Sequence, residues 1–211
     1  MKRINYLTEN SKMKKSGGLR TFNFGIPAYQ SQSGFKPCPL AGECAKGCYA
    51  TMGSYSWTPV KKAYEKRLEL TQSPDFVPTL DAEIKRRKLI QRVRIHDSGD
   101  FYNKHYFEKW LELATLNPNV EFYAYTKMVS MVKGYKLPEN FTIIFSFGGK
   151  QDKLINVKND RHSAVFTDKS ELDSLGYIDA SNDDNLALTE NKRVGLIYHG
   201  YKSKTWESNH A

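Results

Sequence analysis

The sequence predicts an α/β domain on a mostly parallel, curved sheet with outer helices, six strand–helix units closing toward a partial (βα)6 barrel. Three observations carry that expectation. Strand-like and helix-like segments alternate about six times, the order in which crossover helices join parallel strands. The fourth strand segment, 141–147, is mostly apolar and suits burial on both faces. The loops richest in Cys, His, Asp and Gly each follow a strand, where the sites of such folds lie.

Residues 1–19 are polar and basic, end in Ser16-Gly17-Gly18, and read as an N-terminal arm. Residues 21–26 alternate before Pro27 and form the first strand. Residues 28–56 are a long loop rich in Gly, Ser, Pro and Cys, a length that points to function. Two helices follow. The first, 59–72, aligns Val60, Ala63, Tyr64 and Leu68; the second, 74–89, spaces Phe76, Leu80 and Ile84 four apart. Residues 92–96 form the second strand and run into Asp97-Ser98-Gly99-Asp100. Asn103 caps a helix with the stripe Phe107, Trp110, Leu111 and Ala114, which stops at 117–119. The third strand is 120–126, and a short helix near 129–132 leads to the fourth strand and Gly148-Gly149. Weaker patterns place a fifth strand at 163–166, a helix at 169–175 and a sixth strand at 194–198. One domain over 20–200 and a tail over 201–211 complete the expected organisation, since 211 residues suit a single core.

A hydrophobic fraction of 39%, with 13 Tyr, 11 Phe and 3 Trp, excludes disorder on the scale of the chain. No run approaches the roughly 20 apolar residues of a membrane span, so no membrane partner is expected. The basic N-terminus lacks a following apolar segment and is not a secretory signal, so the expected location is the cytoplasm. Lys and Arg exceed Asp and Glu by 32 − 23 = 9, a balance that suits nucleic acid as a partner or simply keeps the protein solvated. The residues 122–125, three of them aromatic, offer either base stacking or core packing.

The three cysteines, Cys38, Cys44 and Cys48, fall within eleven residues, with gaps of five and three. An odd number in one loop of a cytosolic protein is not a disulfide framework; it is a set of metal ligands. Thiolates suit zinc and iron–sulfur centres. A structural zinc site wants a fourth ligand, for which His96 is the candidate, and no C-x2-C pair is present. A [4Fe-4S] cluster on three cysteines needs no fourth thiol and leaves one iron open to a small-molecule ligand. The remaining reading is three buried core cysteines. The second cluster of interest is His96-Asp97-Ser98-Gly99-Asp100, at the end of the second strand and expected to face the cysteine loop. Its carboxylates could bind a cation or an amino group and His96 could ligate metal or move protons, or the aspartates could cap the next helix. His199 is a weaker pocket candidate at the sixth strand end, while His105, His162 and His210 read as surface or packing residues.

Several of these segments resemble the phage Gene product 88 family. They are Asn10-Ser11-Lys12, Phe24-Gly25-Ile26-Pro27-Ala28, the cysteine run through Tyr49-Ala50, His96 to Phe101, and Phe122 to Lys127. That resemblance implies a bacteriophage origin and a host-cytoplasmic location. The arrangement is also similar to the radical S-adenosylmethionine (SAM) superfamily, a partial barrel of six βα units with a three-cysteine cluster loop after strand one. The resemblance implies that Cys38, Cys44 and Cys48 hold the cluster and that its open iron binds SAM. It also places Ser98-Gly99-Asp100 where a Gly-Gly-Glu type motif holds the SAM amino group. The cysteine gaps differ from the superfamily's usual three and two, and Gly-Gly-Glu is not literally present. The expected function is a phage-type iron–sulfur protein that binds a [4Fe-4S] cluster through three cysteines; the radical-SAM resemblance would add an enzymatic use of the open iron, and whether it is an enzyme stays open. The alternative is a non-catalytic iron–sulfur or zinc module that binds nucleic acid through a basic surface.

Overall fold

The computed structural model describes residues 4–9, 19–87 and 89–198. Among the described residues seven strands form one sheet: β1 (Thr21–Phe24), β2 (Arg92–Ile95), β3 (Glu121–Thr126), β4 (Phe141–Ser146), β5 (His162–Phe166), β6 (Ile178–Asp179) and β7 (Arg193–Ile197). Their spatial order is β1-β2-β3-β4-β5-β7-β6, and every pairing between them is parallel. The helices are α1 (Thr58–Gln72), α2 (Phe76–Arg86), α3 (Lys104–Leu116), α4 (Val129–Val132) and α5 (Lys169–Ser174). The parallel α/β architecture is as expected, with two corrections to the unit count. The two-residue β6 pairs with the far edge of β7, making seven strands rather than six. The β4–β5 crossover carries only the 3-10 turn Asp152–Leu154 and no α-helix, so the strand–helix alternation is not complete.

Alternation along the strands separates two cores. On the outer face Phe24, Ile95, Phe122, Ile143 and Phe145 pack against Phe76 and Leu80 of α2 and Phe107 and Trp110 of α3. The rings of Phe24, Phe76 and Trp110 meet edge to face, with centroids 5.2 to 5.7 Å apart. On the inner face Tyr123, Ile144 and Val194 enclose Ala180 and Ala187. The inner face is concave. Arg94 on β2 and Tyr123 on β3 both reach Asp184, which precedes β7 in the chain, at 2.7 and 2.6 Å. Contacts from strands that far apart in the sheet require it to curl into a half-barrel. The 3-10 turn Asp184–Leu188 plugs one end of the hollow. Arg92, first residue of β2, donates to Asn185 at 2.6 Å, which marks this as the N-terminal end of the strands.

Residues 4–9, expected within a loose arm, are docked. Leu7 is buried, Thr8 forms an antiparallel bridge with Asn23, and the Glu83 carboxylate accepts from Tyr6 N at 2.9 Å. This segment covers the outer edge of β1, which would otherwise present unpaired backbone groups. The rest of the arm and the tail lie outside the described residues, as do His199, His210 and Asn10-Ser11-Lys12. Among the described residues no helix is long and apolar enough to cross a membrane.

Candidate metal centre

The chain leaves β1 through Ile26, whose N–H donates to Ser98 O at 3.0 Å, so the cysteine loop and the 96–100 turn separate side by side. The loop then crosses the open, C-terminal mouth of the half-barrel. Gly42 N and Cys44 N both donate to Gly148 O at 3.1 Å, and Lys150 N donates to Leu40 O at 2.9 Å. Tyr49 OH donates to Asp97 O at 2.6 Å, and Tyr198 OH reaches Gly47 O at 3.4 Å. The loop is thus tied to the ends of β2, β4 and β7. A Cβ on Gly42 would stand 3.0 Å from the Gly149 carbonyl carbon, so the loop and the 148–149 backbone are closely apposed at this clasp.

Below the loop lies a cavity of about 180 Å³, and Cys38, Cys44, Cys48, Ser98, Gly99 and Asp100 all line it. Burial pushes all three thiols above their ordinary range. The Asp100 charge raises Cys38 further, while the Lys127 ammonium draws Cys44 and Cys48 back down. Among the described residues, no group of three or more His, Cys, Asp or Glu side chains is arranged to hold a metal ion.

Each residue of the 96–100 turn has its own placement. The buried Asp100 carboxylate accepts from Thr126 Oγ1 at 2.6 Å, Phe101 N at 2.7 Å and Lys127 N at 2.9 Å. Burial raises this carboxyl, and those three hydrogen bonds oppose it. The Lys127 ammonium is itself held by Ser146 Oγ and Phe147 O, both at 2.8 Å. Ser98 is 4% exposed, and its hydroxyl has no hydrogen-bond partner among the described residues. Gly99 sits at φ +89°, and a Cβ there would fall 2.2 Å from Ile26 Cγ1. Gly99→Ala combines positive-φ strain with that clash. We expect it to destabilise the fold by about 2 kcal/mol, read as a lower urea midpoint; an unchanged midpoint would show that the turn relaxes freely.

Two expected site residues face elsewhere. The Asp97 side chain turns away from the thiols, and its Oδ2 accepts from Tyr64 OH at 2.8 Å and Tyr55 OH at 3.5 Å. Its backbone carbonyl serves the cysteine loop by accepting from Tyr49 OH, so Asp97 braces that loop. His96 borders the cavity, but at φ +64° its ring turns back against Phe101 (4.7 Å between centroids), and Nε2 pairs with Tyr106 OH at 2.9 Å. That pairing occupies Nε2 and leaves the buried Nδ1 without a hydrogen-bond partner among the described residues. Burial lowers the His96 pKa to about 3, so the ring is neutral at pH 7.

Because the folded value lies below the unfolded one, His96 contributes stability above pH 6.5 that is lost as the pH falls toward 3. The wild type should lose up to about 1.4 kcal/mol per pH unit across that window from this group. His96→Gln should show a slope shallower by that amount in urea melts from pH 7 to 4. Equal slopes would show that the ring titrates normally.

Of residues 122–125, Phe122 and Tyr123 are 1% and 0% exposed and belong to the cores, in line with the packing reading. His162 packs at 0% exposure and His105 is exposed. Reading from sequence missed Arg94 and Tyr125, which line the cavity from the inner face. An arginine flanked by Val93 and Ile95 in a short strand was the available signal for a polar inward position.

The family described as Gene product 88 matches residues 2–210 of the chain. The Gene 88 protein of Mycobacterium phage L5 is 32% identical over 117 residues, which cover 50% of this chain and 47% of that protein. The aligned stretch therefore spans about half of the relative's length. No solved structure matches.

Proposed function

This chain belongs to the Gene product 88 family, and we propose that it is an iron–sulfur protein whose Cys38, Cys44 and Cys48 hold a [4Fe-4S] cluster in a radical-SAM-like half-barrel. One observation carries the reading: the three thiols line a single cavity together with Ser98, Gly99 and Asp100. A structural zinc site would need a fourth ligand beside the three thiols. A four-iron cluster takes each thiolate on a different iron and needs no fourth thiol. The donor set is otherwise soft and uncrowded, and the Lys127 ammonium offsets the charge that thiolates at Cys44 and Cys48 would carry.

When bound, such a cluster supplies a single electron or a Lewis-acidic iron. The chain's own contribution is to hold the loop over the mouth of the half-barrel. Ser98-Gly99-Asp100 lies beside the cysteines, where the radical-SAM resemblance expects the amino group of SAM. The test is anaerobic purification followed by iron and sulfide counting, with about four of each expected per chain. Incubating the reduced protein with SAM then tests the enzymatic part, and cleavage of SAM is the expected result. About one zinc and no iron would overturn the cluster.

A second, non-catalytic reading rests on the excess of 9 positive charges: a metal module that binds nucleic acid. It requires an affinity that falls steeply with salt.

A further inference from the structure

A second cavity, of about 270 Å³, adjoins the cysteine cavity. The two share three lining residues: Ala28, Ala50 and Ser98. Two methyl side chains and one small hydroxyl make a thin seam, not a wall. The Ser98 hydroxyl stands in that seam, 96% buried and without a partner among the described residues. Buried hydroxyls are nearly always hydrogen-bonded, so one left open between two cavities points to an acceptor or donor that arrives with a ligand.

The second cavity differs in character from the first. Its walls come from the loop after β1 (Gln30, Ser31, Gln32), from Thr51 and Tyr55, and from the first turns of α1 (Lys61, Tyr64, Glu65). Lys61 and Glu65 lie one helical turn apart and balance in charge, so no net charge selects an ion. Gln32 N already donates to Glu65 Oε1 at 2.7 Å, which fixes the loop on the helix while the carboxylate keeps further acceptor capacity. The Tyr64 hydroxyl is spent on Asp97, so Tyr64 offers the cavity its ring. The Ser31, Thr51 and Tyr55 hydroxyls are likewise bonded within the protein. The amides of Gln30 and Gln32, the Glu65 carboxylate, the Ser98 hydroxyl and an aromatic ring together suit a neutral molecule with several hydroxyls and an apolar face.

We propose that this cleft binds a sugar ring, free or as the ribose of a nucleoside, and that the ring's inner edge meets Ser98 at the entrance to the cysteine cavity. The inference rests on the cluster reading only for what happens at that entrance; the cleft itself is formed without it.

Isothermal titration of the anaerobic full chain with D-glucose, D-ribose and adenosine tests it, alongside iron counting on the same preparation. At least one probe is expected to bind with Kd below about 1 mM. Adenosine alone would identify a nucleoside, and either free sugar would identify the ring as sufficient. Ser98→Ala and, independently, the exposed Gln30→Ala should each weaken binding about fivefold, the effect of a hydrogen bond or two. Gln30→Ala should leave the iron count unchanged. No binding of any probe at 10-fold higher concentration, about 10 mM, would overturn the proposal, as would wild-type affinity in both variants. Iron present without binding removes the cleft alone; binding without iron removes the cluster alone.

Discussion

Replacing Cys38, Cys44 or Cys48 by alanine, one at a time, is expected to reduce the iron and sulfide of anaerobically prepared protein from about four of each to near zero. All three should fail alike, because each thiolate holds a different iron and an incomplete set leaves the cluster exposed to loss. The effect on folding should be much smaller than the effect on loading. The cysteine loop is not held by its cysteines alone: Gly148 O accepts from both Gly42 N and Cys44 N, and Tyr49 OH is anchored on Asp97 O. A long loop with no other partners would collapse with the centre. The clasp predicts instead that metal-free Cys44→Ala keeps its far-ultraviolet circular dichroism while losing its visible colour. Two outcomes would contradict the cluster: full iron in any one variant, or a single zinc bound equally by wild type and variants. Unfolding of every variant would show that the clasp is too weak to hold the loop by itself.

The features that carried over from sequence to structure were those with a local physical signature. Residues 120–126 alternate cleanly, and β3 lies at Glu121–Thr126. Asn103 before an apolar stripe reads as a cap, and its side chain accepts from Tyr106 N at 2.8 Å. The proximity of the cysteine loop to the 96–100 turn followed from both succeeding neighbouring parallel strands, β1 and β2. What stayed hidden depends on contacts between distant residues or on side-chain direction within turns. β6 has two residues, too few to show any period. Asp97 and Asp100 are equivalent as letters, yet one faces the tyrosines of the 55–64 region and the other the thiols. His96 points inward only because its backbone adopts a positive φ, which no periodicity reveals. Asp184 is the clearest case, since its partners lie 90 and 61 residues away.

Asp184→Ala is accordingly expected to be among the most damaging single changes, lowering stability by about 3 to 5 kcal/mol. Its carboxylate accepts from Arg94 Nη1 at 2.7 Å and from Tyr123 OH at 2.6 Å, and the Arg94 and Asp184 side chains are only 13% and 8% exposed. Burial is the largest influence on the Arg94 guanidinium and would depress it, but Asp184 together with the Tyr123, Tyr49 and Tyr125 hydroxyls outweighs it and holds Arg94 well above its ordinary value. Alanine would leave that cation in the hollow of the half-barrel with its counter-charge gone, the situation in which a buried pair becomes a liability. Asp184→Asn should be intermediate, since an amide oxygen still accepts from Tyr123 but carries no charge. The double variant Arg94→Met/Asp184→Leu separates charge from shape. With both charges replaced by apolar groups of similar size, most of the lost stability should return, and urea melts of the wild type, Arg94→Met, Asp184→Leu and the double variant give the coupling directly. A double variant as unstable as Asp184→Ala alone would mean that the plug turn, not the ion pair, is what closes the floor of the half-barrel.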